Sequence, residues 1–152
     1  MWWAEFELAA PELAARGREM LDRGGVLLVG TSRRDGSPRI SPCEPLFLDG
    51  HLYLGMMWQS KKALDLLRDP RCVVHSIVTA RDGTEGEFKV YGRAVDVQDP
   101  AERTRFADGL QAKIDWRPED PYHLFDTDIG SVAFVRYSEE GGQEVERWNS
   151  AG

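Results

Sequence analysis

The chain has 152 residues, of which 41% are apolar and 30% charged, a length and composition that fit one domain, 1–152, with a real core and argue against disorder. Nineteen basic residues against 26 acidic ones leave a net charge of −7, which speaks against a nucleic-acid-coating protein, whose affinity comes from neutralising phosphates. No apolar run approaches the roughly 20 residues of a membrane span. The first residues, MWWAEFE, lack the basic and apolar regions of a signal peptide. Cys43 and Cys72 form no CxxC pair, so a reduced, cytoplasmic protein is expected.

In chain order, Pro11 to Arg23 places Leu13, Ala14, Met20 and Leu21 at helical spacing and predicts an amphipathic helix, ended by Gly24-Gly25. Val26 to Thr31 reads as a buried strand, followed by a turn at Arg34-Asp35-Gly36-Ser37. Arg39 to Leu48 reads as a strand carrying Pro42 and Pro45. Each proline removes a ladder donor, so this strand belongs at an edge, a bulge or an opening in the sheet. Asp49-Gly50 then turns the chain into a strand from His51 to Met57.

Ser60 to Arg68 predicts a short helix closed by Asp69-Pro70, and Arg71 to Thr79 and Glu87 to Val97 predict two further strands. Asp99, Pro100 and Glu102 have the spacing of a helix start, and that helix is expected to run to about Gln111. Lys113 to Asp128 reads as irregular. Gly130 to Ser138 and Gln143 to Trp148 read as a closing hairpin, with Glu139, Glu140, Glu144 and Glu146 on a solvated face. Six or seven antiparallel strands with three short helices predict a mainly β fold, a small barrel.

The chemistry concentrates at Ser60-Lys61-Lys62. A helix start carries about half a positive charge, so each cation placed there costs about 0.3–1 kcal/mol. A bound anion resolves that conflict, because free amides, a hydroxyl and two ammonium groups make a phosphate site; lysines pointing into water would also relieve it. Between Arg33 and Lys62 there are five basic residues (Arg33, Arg34, Arg39, Lys61, Lys62) and three acidic ones (Asp35, Glu44, Asp49). His75 reads as a core or barrel-lining histidine, Cys43 and Cys72 as packed thiols, and no metal or Ser-His-Asp constellation is discernible.

The run TSRRDGSPRISPCEPLFLDGHLYLGMMWQSKKALDLLRDPRCVV, Thr31 to Val74, resembles the pyridoxamine 5′-phosphate oxidase-like split-barrel superfamily. It carries the Asp-Gly-x-Pro turn, the Ser-Pro strand, the Asp-Gly-x-Leu-x-Leu hairpin, Ser-[Arg/Lys]-Lys-Ala and Leu-x-x-Asp-Pro-Arg, and EFKVYG follows at Glu87 to Gly92. The resemblance implies a six- to seven-stranded antiparallel split β-barrel that binds FMN between the two subunits of a homodimer. It implies a flavin phosphate held by Ser60, Lys61 and Lys62, with Arg39 near the phosphate or ribityl chain. Ile40, Ser41, Pro42 and Cys43 would then line the ring edge, and Gly55 and Met56 would touch the ring or ribityl chain. Trp148 would cover a flavin face, and Trp58, Trp116, Tyr122 and His123 would stand on the substrate side. Glu87 falls where the family often has Gln.

The chain lacks the Arg-Leu-x-Pro-type ending of pyridoxamine phosphate oxidases proper, which sets pyridoxamine phosphate aside as substrate. The expected activity is an FMN-dependent oxidoreductase passing hydride to or from a small molecule. Two alternatives stand beside it: a reductase of the same fold using a deazaflavin of the factor 420 type, with Arg33 and Arg34 meeting its acidic tail, and a non-catalytic protein that stores or senses flavin or haem.

Overall fold

A computed structural model describes residues 1–150. Eight strands form one antiparallel sheet: β1 (Leu27–Ser32), β2 (Pro38–Cys43), β3 (Pro45–Leu48), β4 (His51–Met57), β5 (Arg71–His75), β6 (Glu87–Asp96), β7 (Tyr122–Tyr137) and β8 (Gln143–Asn149). The helices are α1 (Trp3–Ala9), α2 (Pro11–Asp22), α3 (Lys61–Arg68) and α4 (Pro100–Ile114), with a short 3-10 turn at Arg23–Gly25. The strands run in the order β2-β1-β5-β6-β7-β4-β3, and β8 adds to β7.

The two ends of that path, β2 and β3, are neighbours in the chain, separated by Glu44 alone. The expected single strand from Arg39 to Leu48 is thus two strands on opposite borders of one curved sheet. Neither Pro42 nor Pro45 can donate to a ladder, so the sheet parts where the prolines stand.

Turn chemistry sets the registers. Asp49 and Gly50 both take positive φ, 50° and 80°, the primed turn that matches strand twist, and Leu48 faces His51 across it. Register slips between Tyr91 and Gly92 in the β6–β7 ladder. A Cβ on Gly92 would lie 2.2 Å from the Asp128 carbonyl oxygen, so only glycine lets the bulge close.

Three expectations need correction. Four α-helices form instead of three, because residues 3–9 fold into α1: the Trp2 amide donates to Glu5 Oε2 at 2.7 Å, and Trp3 and Phe6, one turn apart, are both buried. The stretch from Lys113 to Asp128 is largely regular, since α4 continues to Ile114 and closes on Asp115 at φ 54°, and β7 begins at Tyr122. The strand starting at Arg71 ends at His75 rather than Thr79, after which Glu85 takes up the Thr79 and Ala80 amides in a loop. Asp99 does cap α4, accepting from the Glu102 amide at 2.9 Å.

Two packed layers explain the long β7. Inside the barrel, Leu27, Leu54, Phe88, Val90, Phe125 and Ile129 meet Trp3, Phe6, Met20 and Leu21 from the N-terminal helices. Outside it, α4 lays Phe106 and Leu110 over Leu46, Tyr53, Tyr122 and Leu124. The first half of β7 is therefore covered on both faces. Its buried carboxylate, Asp126, is met by His51 Nδ1 at 2.6 Å, and burial raises its pKa against the pull of that histidine. The acidic β8 is not simply solvated: Arg16 of α2 reaches Glu144 at 3.2 Å and Glu146 at 2.5 Å.

Candidate functional site

Helix α3 starts at Ser60, whose backbone is extended while its side chain makes no capping bond. The Ser60 hydroxyl is buried and has no hydrogen-bond partner among the described residues, a state that costs about 1–3 kcal/mol. Lys61 is exposed and Lys62 half-buried. Neither forms an ion pair among the described residues, although most of the protein's other cations do. An uncapped helix start, an orphaned hydroxyl and two free ammonium groups share one end of α3.

Its buried face meets β1 and β2 through one carboxylate. Asp65, 4% exposed, accepts from Arg39 Nε at 2.6 Å and Thr31 Oγ1 at 2.9 Å through Oδ2, and from Arg68 at 3.2 Å through Oδ1. Burial pushes its carboxyl up, but the bonds from Arg39, Thr31 and Arg68 outweigh it and hold the pKa below the ordinary value. Sequence reading missed Asp65. The available signal was an acid beside the apolar stripe of Ala63 and Leu66, three residues before Arg68.

A groove of about 930 Å³ runs from the seam of the sheet to the end of α4. Pro42, Cys43, Gly55, Met56 and Lys62, all expected site residues, line it together with Glu44, Met57 and Trp58. Its far wall is Phe106 and Leu110 of α4, the loop from Trp116 to Pro121, and Tyr122. A Cβ on Gly55 would come within 2.9 Å of the Phe106 ring. A second, smaller groove lies across the same loop, where His123 stacks on Trp58 at 4.5 Å and accepts from the Gln59 amide at 3.1 Å.

The other expected residues are dispersed. Strand alternation turns Arg39, Ser41 and Cys43 inward and Ile40 outward, where it is 72% exposed. Trp148 packs on Phe6 at 4.8 Å and is not part of either groove. Glu87 sits with Lys89 and with His75, 3.4 Å away, a half-buried histidine whose Nδ1 lies 2.6 Å from the Ser76 carbonyl. Burial pushes the Cys43 thiol up to about 12 despite Lys62 nearby, so it is neutral and unreactive at neutral pH.

With this geometry in place, comparison with known proteins decides the family. The sequence profile described as pyridoxamine 5′-phosphate oxidase matches residues 13–136. The chain belongs to that family. Its fold is similar to a heme binding protein from Mycobacterium smegmatis, at 15% identity and TM-score 0.69, covering 90% of this chain and 57% of that one. The chain thus spans a little over half of that protein's length. It is also similar to a Clostridium acetobutylicum protein related to general stress protein 26, at 16% identity and TM-score 0.64, covering 96% of this chain and 95% of that one. PhzG from Burkholderia lata 383, in complex with tetrahydrophenazine-1-carboxylic acid, aligns at 14% identity and TM-score 0.62 over 97% of this chain and 85% of that one. No curated protein sequence matches. Among the described residues, no helix is long and apolar enough to cross a membrane.

Proposed function

We propose that this family member is an FMN-dependent oxidoreductase acting on a small molecule. The observation that carries the reading is the start of α3, where an orphaned hydroxyl, open backbone amides and two unpaired lysines would all be satisfied by one phosphate. Ser60, Lys61 and Lys62 would hold that phosphate, Arg39 would add a further cation, and the free backbone of the proline-broken seam would meet the ring. When bound, the flavin supplies a two-electron carrier. Met56 and Met57 offer polarisable apolar surface to a flat ring, and Trp58, Trp116 and Tyr122 screen the groove from water.

We further propose that the site is completed by a second copy of the chain. Ile40, Gly30, Val73 and Tyr91 lie side by side across four strands on the outer face of the sheet, with Ile40 72% and Tyr91 46% exposed. An apolar row of this kind beside a ligand groove suits a homodimer interface. A deazaflavin reading draws support from Arg33 and Arg34, which have no ion-pair partner among the described residues and could meet a longer acidic tail. A haem-storing reading finds less support. Haem iron takes an axial His, Cys, Tyr or Met; the larger groove is lined by no histidine, its Cys43 and Tyr122 are both shifted toward their neutral forms, and Met56 and Met57 remain as the axial candidates there.

The test is titration of the purified protein with FMN and with riboflavin, followed by flavin fluorescence. Wild-type protein is expected to prefer FMN, and the Lys61→Ala/Lys62→Ala double variant to lose about tenfold or more of that preference, about 1.4 kcal/mol. Equal affinity of the wild type for the two flavins overturns the phosphate site. Tighter binding of a deazaflavin with an acidic tail would move the assignment to that cofactor.

A further inference from the structure

We infer that Asp65 is a positioning residue that presents Arg39 to the anion at the start of α3, an inference that rests on the phosphate reading above. An arginine beside a carboxylate frequently makes two parallel bonds to it, as Arg71 does to Asp69 through Nε and Nη2. Here the bond from Arg39 to Asp65 is made by Nε, at 2.6 Å, which leaves the Nη1 and Nη2 end of the guanidinium without a protein partner among the described residues. The Arg39 side chain is 22% exposed, so part of it is open to solvent while its Nε is tied to a fixed point.

That point is fixed from three sides. Thr31 of β1 donates to the same Oδ2 at 2.9 Å, and Arg68, one turn along α3, donates to Oδ1 at 3.2 Å and also to the Ser32 carbonyl. Asp65 thereby links β1, β2 and the helix that bears Ser60, Lys61 and Lys62. A guanidinium on the neighbouring strand is held in place relative to the ammonium groups on the helix. Preorganisation of this kind lowers the conformational entropy that ligand binding must overcome. The carboxylate also keeps a cation inside a cluster of like charges, where the free protein would otherwise drive it into solvent. Arg39 would then touch the phosphate, and Asp65 would act through Arg39 without touching it.

Two measurements on the whole protein test this. In the nitrogen-15 spectrum of the unliganded wild type, the Arg39 Nε–H, identified by its loss in Arg39→Lys, is expected as a slowly exchanging, shifted signal. That signal should vanish in Asp65→Ala. Exchange as fast as that of a free arginine overturns the proposal without any Asp65 variant. In flavin titrations, Asp65→Ala is expected to weaken FMN about tenfold or more, the scale of one charge-assisted contact, and to leave riboflavin within about twofold. Asp65→Asn, which keeps an oxygen acceptor, should restore part of the FMN affinity. An equal loss of both flavins, or no loss of either, shows that Asp65 is merely structural and overturns the proposal. If wild-type protein fails to prefer FMN over riboflavin, the phosphate reading falls, and the Nε–H exchange still decides whether Asp65 orients Arg39.

Discussion

Cys43 shows how much one side chain's surroundings decide. Its Sγ lies 3.4 Å from the Gly55 carbonyl oxygen beside the larger groove, yet it is only 5% exposed and its thiol is pushed up to about 12. In the unfolded chain the same thiol ionises near about 8.5. Below that pH both states keep the proton, and above it the unfolded state sheds one that the native state retains. The native fold therefore loses stability between about 8.5 and 12, with a limiting slope of about 1.4 kcal/mol per pH unit. Urea unfolding at a series of alkaline pH values should show this slope reduced by that amount in Cys43→Ala, whatever the cavity does to the absolute stability. A slope unchanged by the substitution would mean that the thiol ionises freely in the native protein. The sequence reading of Cys43 as a packed thiol agrees with its burial.

At the scale of elements, the hairpins, α2, α3 and the start of α4 could be read directly because each carries its own local signal. Asp49-Gly50 makes a turn by its φ values, and Asp99 caps a helix with its own carboxylate. The two elements that were missed lack such signals. Helix α1 has seven residues, too few to be stable alone, and is held by Trp3 edge-on to Phe6 and Phe47 at 5.3 and 4.7 Å. Trp3→Ala is accordingly expected to cost about 3–5 kcal/mol, read as a lowered denaturation midpoint; a change below about 1 kcal/mol would show α1 to be a passive appendage. The first half of β7 escaped for a different reason. Its alternation is erased because the barrel core covers one face and α4 the other, and its acid Asp126 looks like a loop residue until His51 arrives from β4.

For the whole molecule, the main question is what covers the outer face of the sheet. Its apolar row would be left facing water in a monomer. An Ile40→Asp substitution places a charge in the middle of that row, outside the barrel core. We expect it to shift a dimer toward monomer in sedimentation velocity, with a circular dichroism spectrum like that of the wild type. A wild-type protein that sediments as a monomer at micromolar concentration would refute the two-copy site.

The sequence by itself determined the local facts: turns, caps, the strand broken by prolines, and the basic helix start with its family motif. These depend on residues close together in the chain, where φ preferences and charge spacing act directly. Tertiary structure alone decided that β2 and β3 lie at opposite borders of the sheet, that Trp148 packs on Phe6, and that Asp65 ties Arg39 to α3. Those contacts join residues from 26 to 142 positions apart, and their stability comes from burial and pairing that exist only once the chain has closed on itself.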